Sequence, residues 1–482
     1  MRGVPIFAVE RRSASDWPAP LPMWTVAFRW TTVTAVVGAA PLRRLRPRQN
    51  SMADKAERAI SPPTQTRGSS TPTPATISTR LDEASNRPVR RQRRAGSVLA
   101  WPADVLNLRN LDRGEMGEAL VPYGVSSQLV QRVFARVQGL GAAGFPPGSV
   151  RGLSHVTTAA LESACEWPDL EIIERRRADD GFVKYLFRTA DGHAIEAVRI
   201  PLPDPADARA LRERRRAGEV AGLQALPTAK YTVCLSSQVG CALACDFCAT
   251  GRLGGIRSLK TWEILAQHRA IAAEADRPIR GAVFMGMGEP FLNYENVIRA
   301  ARILCDPAGP AVSAKAISIS TAGVLPAIRR FTAEGHHFRL ILSLGAPTAR
   351  ERRLLMPIED RWPVVDVLAA IRDHAEARSV RAMLAYVVIG GVNTSPAHAQ
   401  ALGELLAGMR AKLSLIDVTD ETGRYQRASA EELDAFRDAL TALGVPVVRR
   451  YSGGADIGAA CGTLAATQRG GQDELVQLRQ LR

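Results

Sequence analysis

What narrows the fold most is an alternation that sets in after Ala229. Strand-like runs at 231–233, 282–285, 316–320, 339–344, 382–389 and 413–418 are separated by amphipathic helical segments, among them 262–273, 294–304 and 364–377. Repeated strand–helix units bury their apolar faces most simply as a parallel sheet with right-handed crossovers. Six such units over roughly 190 residues fall short of the closed eight-fold form, so the pattern predicts an α/β fold built on a partial (β/α)6 barrel. A last strand-like run at 445–450 leads into a loop that carries Cys461.

Upstream the pattern differs. From 105 to 174 apolar residues recur at helix-like intervals (Leu120, Val121, Leu129, Val130, Val133 and Phe134, then 153–161), which predicts a small helical domain over 96–180. Two strand-like runs, 181–188 and 193–200, are joined by Asp191-Gly192 and predict a β-hairpin, so 181–228 reads as that hairpin plus a linker. The barrel then spans 229–464, with a C-terminal tail at 465–482. Residues 1–95 read as a disordered basic tail, because 61–80 is rich in Ser, Thr and Pro and 87–94 is a basic run.

That tail holds 17 Lys/Arg against 6 Asp/Glu, which is +11 of the chain's net +15 and leaves only +4 for the rest. The globular part is therefore mildly basic, a balance that suits an RNA substrate without demanding one. A tail that grips RNA phosphates and a true translation start at Met52 are both open readings of the first segment. The apolar share of 46% is enough for a core, whereas 5% aromatics argues against recognition by many stacked rings. Arg29 interrupts the most apolar stretch, 21–40, so no membrane span is expected.

Seven cysteines in 482 residues do not make a disulfide scaffold, and four of them crowd between Cys234 and Cys248, which suggests a metal site in a reducing compartment. Cys241-Ala-Leu-Ala-Cys245-Asp-Phe-Cys248 puts three thiolates around one small centre and supplies no fourth. A [4Fe–4S] cluster held this way keeps one iron open. Structural zinc takes four protein ligands, and Cys234 could be recruited as the fourth, which leaves a zinc-stabilised RNA-binding protein as the non-enzymatic alternative. Gly286-Met287-Gly288-Glu289-Pro290 ends the second strand. Its glycines let backbone approach a ligand, and Glu289 can accept a hydrogen bond from an ammonium group. Ser320 and Ser343 end the third and fourth strands, so polar groups converge on the carboxyl-end rim where barrel enzymes do their chemistry.

The cysteine triad followed by this glycine-rich strand end resembles the radical S-adenosylmethionine (SAM) enzymes. Cys234-Leu-Ser-Ser-Gln-Val-Gly-Cys241 and Asp456-Ile-Gly-Ala-Ala-Cys461-Gly narrow the resemblance to the RlmN/Cfr radical SAM methyltransferases, which methylate adenine carbons in large-subunit ribosomal RNA. The likeness runs from 107 to 464. It implies a cluster on Cys241, Cys245 and Cys248, with SAM as the second cofactor. SAM contacts carried over by position are Gly288, Glu289, Ser320, Ser343 and Leu344, with Gly345 and Thr419 at neighbouring family positions.

The resemblance further implies that Cys461 carries a methyl group as S-methylcysteine, that Cys234 resolves a protein–RNA adduct through a transient disulfide with Cys461, and that Glu196 accepts the proton from the adenine carbon. The implied reaction is methylation of carbon 2 of an adenine in 23S rRNA, or also in tRNA, with two SAM per turnover. A flavodoxin or ferredoxin would donate the electron to a cytoplasmic monomer. Three positions depart from the family: Gly345 stands where it has His, Thr419 where it has Asn and Gly453 where Arg is common. All three fall near the expected rim, which keeps open a paralogue that uses the same methylene transfer on another RNA or a small molecule.

Overall fold

The computed structural model describes residues 105–139, 144–216, 227–450 and 452–465. The expected basic tail (1–95) lies outside the described residues, as does the C-terminal tail beyond Ala465. Chain order begins with three short helices. α1 (Arg113–Ala119) starts at a capping box, in which Asp112 accepts from the N–H groups of Gly114 and Glu115 while the Glu115 carboxylate reaches back to the Asp112 N–H. α2 (Ser127–Gln138) buries Val130, Val133, Phe134 and Val137 along one stripe, and α3 (His155–Ala164) follows a Ser154 cap.

The helical reading that runs to 174 needs correction. Helix ends at Ala164, and Glu171–Arg177 is a strand, β1. Its two adjacent isoleucines between charged residues fit a half-buried edge strand, and pairing with the next strand decides what so short a run becomes. That partner is β2 (Val183–Arg188), which turns at Asp191-Gly192 into β3 (Ala194–Pro203), the expected hairpin. After α4 (Pro205–Arg216), β4 (Thr228–Cys234) pairs antiparallel with β3, so the hairpin is an extension of the barrel sheet.

The rest alternates. β5 (Gln238–Gly240), α5 (Ala249–Leu253) and β6 (Gly255–Ser258) make a small flap, and α6 (Thr261–Glu274) leads to β7 (Ile279–Phe284). Then come α7 (Tyr294–Cys305), β8 (Ile317–Thr321), α8 (Leu325–Ala333), β9 (Arg339–Ser343), α9 (Ala349–Leu355) and α10 (Val364–Ala377). β10 (Ala382–Val388), α11 (Pro396–Leu405), β11 (Ala411–Asp417), α12 (Ala430–Ala442) and β12 (Val447–Arg450) complete the order. The ten-stranded sheet runs β1-β2-β3-β4-β7-β8-β9-β10-β11-β12, antiparallel up to β4 and parallel from β4 onwards. This is the partial barrel that the alternation predicts, with β12 added beyond the six units.

Strand parity fixes the site. Ile317, Ile319, Leu340, Leu342, Leu384 and Leu413 are fully or nearly fully buried in the main core beneath the helices. The alternate positions Ile341, Ala385 and Ile416 form a separate apolar patch, against which Met285, Met383 and Cys461 pack. The polar alternates Ser320 and Ser343 lie on the same inner face, at the carboxyl ends. No described helix is long and apolar enough to cross a membrane.

Candidate active site

The three triad cysteines lie on the loop between β5 and α5. Cys241 donates its N–H to Gly254 O at 2.8 Å, and Cys248 to Cys245 O at 3.1 Å. Asp246, between them, is gripped from the loop after β11: its carboxylate pairs with Arg424 at 2.7 Å and accepts the Tyr425 hydroxyl. Burial pushes the Cys241 thiol up to about 12 and Cys245 higher still, each within electrostatic reach of the other thiols and of Glu289. The Arg352 guanidinium opposes that rise at Cys245 and the Leu243 backbone opposes it at Cys241, and a bound cation would favour both thiolates further.

The donor set itself is three thiols on one short loop, Cys241, Cys245 and Cys248, which suits a cluster that keeps one iron open for a further ligand.

Gly288 and Glu289 stand beside this loop. Gly288 has φ of +96°, and a Cβ there would lie 2.5 Å from Gln238 Cβ, so the turn needs glycine to pass under β5. The Glu289 N–H donates to Gln238 Oε1 at 2.8 Å. Its buried carboxylate accepts from the N–H groups of Phe291 (3.0 Å) and Ala322 (2.8 Å), yet burial still raises its pKa to about 7. Ser320 and Ser343 meet across β8 and β9, their hydroxyls 3.2 Å apart. Next to them the Leu344 N–H donates to Ala385 O, and the Leu344 carbonyl accepts from Arg352 Nε at 2.9 Å. Thr419 follows β11. It accepts from Arg427 at 2.9 Å and lines a cavity of about 190 Å³ with Arg252, Glu421, Thr422, Thr463 and Ala465.

Cys461 joins these groups from the far end of the chain. Its segment is stitched to the cluster loop, because Gly462 O accepts the Ala249 N–H at 2.8 Å and Leu464 O accepts the Thr250 hydroxyl at 2.6 Å. Cys234, at the end of β4, is buried and within electrostatic reach of Cys461 and of Arg450; burial lifts its thiol to about 12. Both are free thiols, as are the other five cysteines, including Cys165 and Cys305, which lie away from this cluster. Glu196 is placed differently from a base open to the mouth. It is fully buried, paired with Lys184 Nζ at 2.9 Å, and its other oxygen accepts the Ala465 N–H at 2.9 Å.

Two of the three departures have a steric counterpart. A Cβ at Gly345, where φ is +77°, would sit 2.4 Å from Met356 Sδ, so methionine fills the space of a larger side chain there. A Cβ at Gly453 would lie 2.4 Å from Phe182 Cε2 and 2.5 Å from Asp180 Oδ2. Gly453→Arg is accordingly expected to destabilise the fold by about 1–3 kcal/mol through overpacking, and Phe182→Ala in the same chain to recover part of the loss. Thermal unfolding of both variants checks this, and an unchanged midpoint for Gly453→Arg would refute it.

Sequence reading passed over Lys184, Gln238, Arg352 and Met356. Lys184 carried a signal, a lone charge inside the apolar run Val183–Phe187, diagonal to Glu196 in the hairpin register. Arg352 carried none, since it sits among Arg350, Glu351 and Arg353 on a helix that reads as solvated.

Comparisons with known proteins agree with the geometry. The Radical SAM superfamily profile matches residues 235–401. A probable RNA methyltransferase of Myxococcus xanthus is 50% identical over 367 residues, covering 76% of this chain and 96% of that protein. The dual-specificity RNA methyltransferase RlmN of Syntrophobacter fumaroxidans is 36% identical over 356 residues, covering 73% and 96%. The crystal structure of a radical SAM methyltransferase from Sphaerobacter thermophilus superposes with a TM-score of 0.65 at 35% identity, covering 75% of this chain and all of that one. With the cysteine triad, the glycine-rich strand end and a relative of this identity matched over nearly its full length, the chain belongs to the RlmN family of radical SAM methyltransferases.

Proposed function

We propose that this protein is an RNA methyltransferase that methylates carbon 2 of an adenine in 23S rRNA, or also in tRNA, by way of a methylated cysteine. A [4Fe–4S] cluster on Cys241, Cys245 and Cys248, with SAM against Gly288, Glu289, Ser320, Ser343 and Leu344, would supply a methyl group and a hydrogen-abstracting carbon radical. Gly345 and Thr419 would border that cofactor. The electron would come from a flavodoxin or ferredoxin, and the enzyme would work as a cytoplasmic monomer.

The chain's own residues divide the remaining work. An aromatic adenine carbon bearing hydrogen is not a nucleophile, so it cannot take a methyl cation directly. Cys461 carries the methyl carbon as a thioether and, after loss of one hydrogen atom to the carbon radical, bonds through that carbon to the base; the odd electron left on the adduct would return to the oxidised cluster. Glu196 takes the proton from the substituted carbon, for which it must come within hydrogen-bond reach. Cys234 then attacks the Cys461 sulfur as a thiolate; the sulfur–carbon bond breaks, its electron pair leaves with the product and takes up a proton to complete the methyl group, and the two sulfurs are left as a disulfide. External thiols must reduce that disulfide before the next turnover.

The observation that carries this reading is the meeting of Cys461, from the end of the chain, with the cluster loop and Cys234. Cys234→Ala is expected to trap a covalent protein–RNA adduct at Cys461, visible as a shifted band on a denaturing gel and as a nucleotide-modified peptide by mass spectrometry. Free methylated RNA at wild-type rates from this variant would sink the proposal. A second reading, the same chemistry on another RNA or a small purine, is favoured by Met356 and Phe182 filling space at two departure positions. The nucleotide found in the adduct decides between them.

A further inference from the structure

The segment that carries Cys461 is anchored at both ends. On one side the Gly454 N–H donates to Asp180 Oδ2 at 2.9 Å, and the Cys461 N–H to Ser452 Oγ at 2.9 Å. On the other, two bonds run to Ala249 and Thr250 behind the cluster loop, and the Ala465 N–H meets Glu196 Oε2. Glu196 is fully buried, and Lys184 Nζ, itself 4% exposed, pairs with Oε1 at 2.9 Å. The same ammonium lies beside the Cys461 segment directly: a Cβ on Gly458 would sit 3.2 Å from Lys184 Nζ and 2.6 Å from Glu421 Oε1. One buried cation therefore stands between the carboxylate on β3, the loop after β11 and the backbone of the Cys461 segment.

We propose that Lys184 is a positioning residue which, by holding Glu196 as a buried acceptor for the Ala465 N–H, latches the Cys461 segment onto the sheet. The inference deepens the reading of Glu196 as proton acceptor and rests on it only for the importance of Cys461. The latch is a property of the resting chain and can be read without RNA. Base and methyl carrier are then parts of one hydrogen-bonded unit, so the sulfur is held at a fixed height over the cluster loop. A carboxylate that neither carried the charge of its buried ion pair nor accepted the Ala465 N–H would leave that unit loose, since hydrogen bonds to charged groups are among the stronger ones.

The test is backbone hydrogen exchange of the full-length protein, followed by mass spectrometry of peptides that cover 459–465, with β10 peptides as the internal reference. In Glu196→Ala and Lys184→Met the 459–465 amides should exchange about tenfold faster than in the wild type while β10 stays unchanged. Glu196→Gln, which keeps an acceptor oxygen, should fall between wild type and Glu196→Ala. Unchanged exchange in both Glu196→Ala and Lys184→Met would overturn the latch, and so would an equal rise in β10, the mark of general loosening. Because no methylation is measured, failure of the latch and failure of the proposed reaction are told apart.

Discussion

Cys461→Ala is expected to lower RNA methylation at least about a thousandfold, the scale on which removal of a covalent catalyst acts, while the protein still binds its iron and still cleaves SAM at a reduced rate. The substitution removes one sulfur and leaves the loop's anchors in place, since those run through the Cys461 N–H, the Gly462 and Leu464 carbonyls and the Ala465 N–H. The sulfur is only partly buried against Met285, Met383, Ile341, Ala385 and Ile416, so its loss costs little packing. None of the triad cysteines and neither strand-end serine depends on it for a hydrogen bond. Iron content, SAM cleavage and methyl incorporation measured on one preparation separate the outcomes. Methylation above a tenth of the wild-type rate would mean that the methyl group does not travel through this thiol, and loss of iron would mean that the loop is part of the metal site.

How much of this was legible in the sequence follows from how local each signal is. The strands of the barrel declare themselves because both of their neighbours are helices with a different period, and each run is bounded within a few residues. β1 did not, because Glu171–Arg177 is only a half-buried edge whose partner, β2, lies beyond a turn. The cysteines stood out because spacing alone brings Cys241, Cys245 and Cys248 to one loop, whereas no local pattern says that 461 returns to 249. That contact was read from family likeness, and the hydrogen bonds that make it were not foreseeable.

Buried charge was the least legible part. Glu196 was read as a base from its neighbours in sequence, but its hold on Ala465 and on Lys184 depends on a strand pairing and on a residue 269 positions away. The departures at Gly345 and Gly453 read as losses of a side chain. In three dimensions each is half of an exchange, in which Met356 or Phe182 takes the space that glycine gives up.

Arg352 carries the other large expectation. It is fully buried, donates to the carbonyls of Leu344 (2.9 Å) and Ala322 (2.6 Å), and pairs with the equally buried Glu359 at 2.5 Å. Those two carbonyls belong to the turns after β9 and β8, and the Ala322 N–H is what Glu289 accepts. One guanidinium thus ties together the strand ends that carry Ser320, Ser343, Leu344 and Glu289. Arg352→Met should cost about 3–5 kcal/mol, because it strands the Glu359 carboxylate in the core with the Val364 N–H as its remaining partner among the described residues. Arg352→Met with Glu359→Leu removes both charges and should recover most of the fold, leaving the Ala322 carbonyl unsatisfied at about 1–3 kcal/mol while the Leu344 carbonyl keeps the Ala346 N–H. The double variant is therefore the informative one. Its melting temperature should lie between the single variant and the wild type, while SAM binding measured by equilibrium titration stays weakened because the turns around Ala322 and Leu344 have lost their common donor. Should the double variant bind SAM as tightly as the wild type, Arg352 serves the core alone and has no part in shaping the rim.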